Sequence, residues 1–410
     1  MVVPHRVVIV GAGLAGARTA EALRERGYGE EIVLLGTEPD PPYDRPPLSK
    51  DYLQGKIDRD AVFLHPRTWF DQQRVELRTS TTVAAVDPDV HEITATGGER
   101  LGYDKLVLAT GSTPRRLPVP GDELAGVHYL RTLTDSQQLR HVLATAHRIA
   151  IIGGGWIGLE VAAAARLANV DVTVIEADRL PLRGALGDDI APAFARLHRE
   201  HGVDLRCDTN VGAITGDGRH ATGVQLTDGT SLAADAVIVG IGADPNTRLA
   251  EHARLDVSNG VVVDAGMRTT HPDIFAVGDI ARAPHPPTGV RIRVEHWANA
   301  LHQPATAAPA VLGEPASYDR LPYFFTDQYD LGMEYTGYAP PRQECPVVVR
   351  GDLDKREFIA FWLDPDQRVL AGMNVNIWDV ADPIERLINS RAPVDTARLA
   401  DPTVPLDDLA

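Results

Sequence analysis

Two short segments of this chain carry glycines at a spacing that suits phosphate binding. Residues 6–16 read Arg-Val-Val-Ile-Val-Gly-Ala-Gly-Leu-Ala-Gly, with Gly11, Gly13 and Gly16. Residues 148–158 read Arg-Ile-Ala-Ile-Ile-Gly-Gly-Gly-Trp-Ile-Gly, with Gly153, Gly155 and Gly158 at the same offsets. In such a run the first glycine makes a tight turn and the second lets a diphosphate approach the backbone. The third lets helix and strand pack closely. The following helix aims its N-terminal N–H groups at the phosphate charge. One such triplet is a weak signal. Two, each between an apolar strand and an alanine-rich stretch, imply two dinucleotide sites.

An acid about 20 positions on is expected to hold ribose hydroxyls. After the second motif Glu176 closes the strand Val172-Thr-Val-Ile. A carboxylate there accepts from a 2′-hydroxyl and repels a 2′-phosphate, which favours NADH over NADPH. Arg179 and Arg183 are the counter-argument, because an arginine could hold that phosphate. After the first motif the strand Ile32-Val-Leu-Leu runs into Gly36-Thr37-Glu38, so its acid, Glu38, arrives late. A further acid, Asp279, ends the apolar run Ile274-Phe-Ala-Val-Gly. It reads as an aspartate delivered to a ligand or as a helix N-cap.

The elements that must position these residues repeat as well. Helices are predicted over 14–26 and 157–168, each between two apolar strands. The segments Tyr103-Asp-Lys-Leu-Val-Leu-Ala-Thr-Gly-Ser-Thr-Pro-Arg and Ala234-Asp-Ala-Val-Ile-Val-Gly-Ile-Gly-Ala-Asp-Pro-Asn, each with an acid before the apolar run and glycine and proline after it, read as the closing strands of the two units. The fold class is therefore α/β, with two Rossmann-like dinucleotide-binding domains.

The 410 residues suggest two to three domains. A hydrophobic fraction of 44% and a charged fraction of 24% are those of a globular protein. A formal net charge of −17 argues against general affinity for nucleic acid or for an anionic membrane surface. No apolar run is long enough for a membrane span. The first residues run straight into a strand and glycine turn, which reads as no signal peptide, and a cytoplasmic location is expected. The two cysteines, Cys207 and Cys345, are far apart, which excludes a CxxC pair and a cysteine-rich metal site, so no metal is expected.

In their order, these landmarks resemble the two-dinucleotide-binding-domain flavoproteins of the glutathione-reductase-like fold. Within them the chain looks like the ferredoxin reductases of bacterial oxygenase systems. The matching motifs are Pro42-Tyr-Asp-Arg-Pro-Pro-Leu-Ser-Lys50, Ala109-Thr-Gly111, Gly153-Gly-Gly-Trp-Ile-Gly-Leu-Glu160, Val277-Gly-Asp279 and Glu295-His-Trp297. The resemblance implies FAD and NADH as cofactors. It also implies a discontinuous FAD domain over 1–112 and 243–320, an NADH domain over 113–242, and a small C-terminal α+β domain over 321–410. By the same resemblance Ala15, Lys50, Val83, Arg131, Asp279 and Trp297 would touch FAD. The matching motifs put Arg45, Ala109, Thr110, Gly111, Trp156, Ile157 and His296 among the cofactor contacts, and the resemblance adds Leu14 of the first glycine run and Gly242 of the second closing segment. Where the family often has an acid for the adenosine ribose stands Thr37, and Glu38 is the substitute.

Lys50 and Glu160 are the candidate catalytic pair. As an ion pair beside the flavin N5 they would orient the nicotinamide and stabilise charge on the reduced ring; otherwise they are surface charges. No cysteine lies in the helix after the first motif or in Pro41–Lys50, so electrons have no thiol to stop on and must leave to an outside acceptor. A 2Fe–2S ferredoxin serving a terminal monooxygenase or ring-hydroxylating dioxygenase is the expected acceptor. A rubredoxin or quinone reductase, or an NADH-gated interaction protein resembling apoptosis-inducing factor, remain alternatives. Arg291 and Arg293, with Tyr323-Phe324-Phe325, are the expected docking patch for an acidic partner.

Overall fold

The computed structural model describes residues 3–340 and 345–409. The chain parts into two compact units. The first comprises Met1–Asp44, Arg59–Thr113 and Asp244–Tyr323, the second Arg45–Asp58, Pro114–Ala243 and Phe324–Ala410.

In the first unit, strands Arg6–Val10 and Glu31–Leu35 are too apolar to face water and become neighbours in a five-stranded parallel sheet. Its order is Ile274–Ala276, Lys105–Leu108, Arg6–Val10, Glu31–Leu35, Val75–Arg78. The motif helix, Leu14–Glu25, packs its buried face against this sheet and against the helix Trp297–Val311. A small antiparallel sheet of Val83–Asp87, Glu92–Ala95 and Arg100–Gly102 precedes the closing strand.

The second unit repeats the plan. Asp204–Arg206, Asp171–Ile175, Arg148–Ile152, Ala236–Val239 and Val127–Tyr129 form a parallel sheet in that order. Here too a three-stranded antiparallel sheet, Val211–Gly216, Ala221–Leu226 and Ser231–Ala233, precedes the closing strand. The register repeats as well. Val10 pairs with Leu35 and Leu108, as Ile152 pairs with Ile175 and Val239. Reversal of strand order beside the central strand makes the crevice at which ligands bind in such sheets.

The C-terminal residues form a third five-stranded sheet, ordered Tyr323–Gln328, Leu331–Gly337, Val369–Val375, Glu357–Leu363, Val347–Asp352. The helix Ala381–Ser390 covers one face, and Gly372 permits the close approach, because a methyl group there would lie 2.5 Å from Ile384 Cγ2. The other face does not close on itself. Met333, Tyr335, Phe358 and Trp362 join Leu159, Val161 and Phe194 of the dinucleotide fold in one continuous apolar core. Burial of that shared surface, at roughly 25 cal/mol per Å2, is what holds the C-terminal sheet to its neighbour. Residues 45–58 contribute Leu53 to the same core.

Candidate functional site

The first and third glycines of both motifs are demanded by the fold. Gly11 has φ +116°, and a methyl group on it would lie 2.1 Å from Ala109 O; one on Gly16 would lie 1.9 Å from Gly11 O. In the second motif Gly153, at φ +103°, would place its methyl 2.4 Å from Gly240 O, and Gly158 2.1 Å from Gly153 O. The second glycines are different. Nothing lies within 4 Å of a methyl group built on Gly13, and for Gly155 the one neighbour is Gly240 O at 3.9 Å. Internal packing does not require glycine at either position, so the space is left for a ligand. Neither following helix has a side-chain cap or an acid in its first turn. Two uncapped 12-residue helices with open glycine cradles fit two diphosphates.

In the first unit, Leu14 and Ala15 begin the helix and are buried, and the Cβ of Ala15 lies 3.0 Å from where one on Gly278 would be. Ala109, Thr110 and Gly111 follow the closing strand, which ends at Leu108, and Asn246 clamps the last two. Thr110 Oγ1 donates to Asn246 O at 2.8 Å, Asn246 Nδ2 donates to Thr110 O at 2.8 Å, and Asn246 N donates to Gly111 O at 2.9 Å. Asp279 lies in the short turn Gly278–Ile280, where its Oδ2 accepts from Ser112 Oγ at 2.6 Å, so it does not cap a long helix. Trp297 opens its helix and its Nε1 donates to Asp44 Oδ1 at 2.8 Å. Burial pulls the pKa of the preceding His296 down to about 4, so the ring is neutral at physiological pH. Val83 is buried at the start of its strand.

The late acid has a structural reason. The register makes Gly36 the counterpart of Glu176, each following the strand residue paired with the central strand's end. A side chain at Gly36 would start 2.5 Å from Ala12 Cβ. The carboxylate therefore moves to Glu38, where the buried Tyr43 hydroxyl donates to it. Thr37 is exposed and its hydroxyl accepts from Thr82 at 3.1 Å.

In the second unit Glu176 is held beside the glycine turn: Oε2 accepts from Gly154 N at 2.6 Å and Oε1 from Asp178 N at 2.7 Å. Arg179 and Arg183 are both engaged by Asp188. Arg183 Nε lies 2.7 Å from its Oδ1, and the two guanidiniums, Arg183 first, hold that carboxyl below the usual range. The arginines that argued for a 2′-phosphate thus already face carboxylates. Ile157 is exposed, and Gly242, at φ +104°, accepts at its carbonyl from Arg115 N at 2.9 Å. Trp156 packs edge-on against Phe194 and Phe324, with centroids 5.6 and 5.1 Å away.

Lys50 and Glu160 meet. Lys50 Nζ lies 2.7 Å from Glu160 Oε1, and the carboxylate is 3% exposed. The prolines start a 3-10 turn, Pro46–Ser49, that delivers Lys50. Ser136 Oγ anchors the turn by donating to Leu48 O at 2.7 Å, and Arg45, just before it, donates to Arg131 O. Two hydroxyls complete the carboxylate's surroundings: Ser49 Oγ donates to Oε2, and Thr326 Oγ1 donates to Oε1 at 2.6 Å. Ser49, Thr326, Ser112 and Asn246 escape sequence reasoning, because single hydroxyls and amides carry no spacing signal. Ser49 lies inside the family-like run ending at Lys50, and Ser112 and Asn246 inside the two closing-strand segments, but nothing in those runs singles them out.

Two expectations need correction. Arg293 is not a docking cation: its side chain is 8% exposed, and it donates to Glu295 Oε1 at 2.6 Å, to Asp279 O at 3.1 Å and to Asn259 Oδ1. The preceding strand ends at Ile292, and of the two arginines only Arg291 is exposed. Phe324 likewise faces inward, stacked on Tyr335 at 5.0 Å, because its strand is the edge of the shared core. Among the described residues one further cluster, His91, His271 and Asp273, brings ligand-type atoms together, but Asp273 already pairs with Lys105.

Two separate phosphate cradles, one with an acid locked at its turn, and a buried Lys–Glu pair define a dinucleotide-dependent oxidoreductase. The chain belongs to the pyridine nucleotide-disulphide oxidoreductase family, which matches residues 5–304, and residues 323–410 match the reductase C-terminal family. FAD and NADH are the cofactors that this membership implies. The chain is 42% identical over 402 residues to the ferredoxin–NAD(+) reductase component of the anthranilate 1,2-dioxygenase system of Burkholderia cepacia, covering 97% of this chain and 98% of the relative. It is 38% identical to putidaredoxin reductase of Pseudomonas putida, covering 98% and 96%. The solved covalent complex of putidaredoxin reductase with putidaredoxin superposes with a TM-score of 0.93 at 38% identity, over 98% of this chain and 97% of that one. Among the described residues no helix is long and apolar enough to cross a membrane.

Proposed function

We propose that this protein oxidises NADH through bound FAD and passes the electrons to a 2Fe–2S ferredoxin that serves an oxygenase. The observation that carries the proposal is the pair of open cradles at Gly13 and Gly155 in a chain with no cysteine in the first motif helix or in Pro41–Lys50. The full-length likeness to ferredoxin reductases of oxygenase systems supports it. When bound, FAD supplies two-electron uptake and one-electron release. The chain supplies the rest. The uncapped helix N-termini beginning at Leu14 and Trp156 hold the diphosphates. Glu38 and Glu176 accept from ribose hydroxyls, and Asp279, backed by Ser112, grips the flavin's hydroxylated chain. Ala15, Val83, Arg45, Arg131, His296 and Trp297 shape the FAD site, and Ile157 and Gly242 the nucleotide site. Lys50 and Glu160 orient the nicotinamide and set the charge that the flavin feels. In this reading residues 1–112 and 243–320 are the FAD domain, 113–242 the NADH domain and 321–410 the C-terminal domain, in a cytoplasmic protein.

The test is cytochrome c reduction by NADH with and without added 2Fe–2S ferredoxin. Efficient reduction only with ferredoxin supports the proposal; equal rates without it reject it. A rubredoxin acceptor is the second reading, favoured by 36% identity to rubredoxin–NAD(+) reductase of Pseudomonas putida over 90% of this chain. Substituting rubredoxin in the same assay separates the two.

A further inference from the structure

The bonds around Glu160 continue outward. Beyond Thr326, Gln328 Nε2 lies 3.2 Å from Thr326 Oγ1, and Gln328 Oε1 lies 2.8 Å from His198 Nε2. His198 Nδ1 faces the hydroxyl of Tyr329 at 3.4 Å, and the ring of His201 stacks on Tyr329 with centroids 3.7 Å apart. Thr326, Gln328 and His198 are all buried. This chain of contacts joins the first strand of the C-terminal sheet to two helices of the dinucleotide fold, Trp156–Leu167 and Arg183–Glu200.

Its direction follows from the carboxylate. A carboxylate paired with Lys50 can only accept, so the Thr326 hydroxyl proton points at Glu160. The Thr326 oxygen is then an acceptor, which turns the Gln328 amide so that its NH2 faces Thr326 and its oxygen faces His198. His198 must donate from Nε2, which leaves Nδ1 bare to accept from Tyr329. Burial, which pulls the His198 pKa down to about 4, agrees with a ring holding one proton. Every donor therefore points toward Glu160. Such aligned bonds polarise one another, and they favour negative charge at the end they point to. The chain is not a proton wire, because the Gln328 amide cannot pass a proton along as hydroxyls and waters do.

We propose that Thr326 and Gln328 are positioning residues: the C-terminal sheet supplies a one-way run of donors that fixes the Glu160 carboxylate in place beside Lys50. The inference rests on the reading that Lys50 and Glu160 act on nicotinamide and flavin, and it gives the C-terminal segment a part in the reductive half-reaction.

The experiment uses the FAD-loaded full chain and compares Thr326→Val, which keeps the shape, with Thr326→Ser, which keeps the donor. Two quantities are read: the stopped-flow rate of flavin reduction by NADH, and the flavin midpoint potential from photochemical reduction without nicotinamide. Thr326→Val is expected to slow reduction about 10- to 100-fold, the worth of one hydrogen bond to a charged group. It is also expected to raise the potential, because Lys50 is then less compensated. Thr326→Ser is expected to restore both, and Gln328→Met to shift both in the same sense by less. Wild-type behaviour of Thr326→Val in both readouts would overturn the proposal. So would losses that serine does not rescue, or a Gln328→Met effect larger than that of Thr326→Val. Ferredoxin appears in neither readout, so failure of the ferredoxin assignment and failure of this proposal are distinguishable.

Discussion

Lys50 Nζ stands 2.7 Å from Glu160 Oε1, and both side chains are withdrawn from solvent. A buried ion pair of this kind gains little net stability, but removing one partner strands the other charge at a cost of about 3–5 kcal/mol. Lys50→Ala and Glu160→Ala are therefore expected to lower the unfolding midpoint as well as slow flavin reduction. Glu160→Gln separates the two effects. Its amide oxygen can still accept from the Thr326 hydroxyl while its NH2 donates to Ser49 Oγ, which turns its own proton elsewhere, so it is expected to stay folded with FAD bound while reduction by NADH slows about 100-fold, the scale of one electrostatic contact at a reacting centre. Stopped-flow traces at saturating NADH check this, and unchanged rates in Lys50→Ala and Glu160→Gln alike would return the pair to a purely structural role.

Glu176 meets two backbone N–H groups, at 2.6 and 2.7 Å, and so cannot swing away from an incoming ribose. A strong preference for NADH is expected. In Glu176→Gln that preference is expected to shrink about tenfold or more, because the charge that repels a 2′-phosphate is gone while the contact to Gly154 can persist. The ratio of kcat/KM for NADH to that for NADPH measures it. A wild-type ratio near one would defeat the assignment.

Cys207 and Cys345 are free and half-buried, and burial pushes both thiols up from their ordinary range, away from the reactive thiolate. The double variant Cys207→Ser, Cys345→Ser is expected to keep near-normal acceptor reduction. Lost turnover with the flavin bound and the fold intact would reveal a thiol step.

His198 is buried and His296 partly so, and desolvation draws the pKa of each from 6.5 to about 4, leaving both rings neutral. In the unfolded chain both take up protons near pH 6.5, and in the folded chain only near pH 4. Unfolding binds protons between those values, so their contribution is complete above pH 6.5 and is lost as the pH falls toward 4. The loss is at most about 3 kcal/mol for each group. Denaturant midpoints from pH 7 to 4.5 are expected to fall, and His198→Gln is expected to flatten the slope. An unchanged slope in that variant would mean that His198 is already protonated in the fold.

Much of this protein was legible because its signals are local. The roles of Gly11, Gly16, Gly153 and Gly158 follow from steric needs within one strand–turn–helix unit, and their spacing records those needs directly. Glu176 is legible for the same reason, since it closes the strand beside the turn it serves. The displaced acid was visible as Glu38 but not explained. The explanation is a clash at Ala12, brought to Gly36 only when the two parallel strands align. Arg293 shows the opposite failure. Its alternation with Arg291 looked like an exposed face, but the strand stops at Ile292 and the guanidinium turns in to Glu295 and Asp279 O.

What the amino-acid order determined by itself was the doubled dinucleotide grammar, an acid at Glu176 from which a preference for NADH is expected, the absence of cysteine from the first motif helix and from Pro41–Lys50, and the two charges, Lys50 and Glu160, worth watching. Their meeting, and the company they keep, only the tertiary structure decided. Thr326 is an unremarkable hydroxyl 166 positions from Glu160, and Ser49 is 111 positions away. The C-terminal sheet must share the apolar core of Leu159, Val161 and Phe194 before Thr326 can reach the carboxylate. The physical reason is one of range. Backbone sterics and strand periodicity act over a few residues and leave their mark in spacing. A buried hydrogen bond is assembled by non-directional burial of distant apolar faces, and that leaves no local pattern to read.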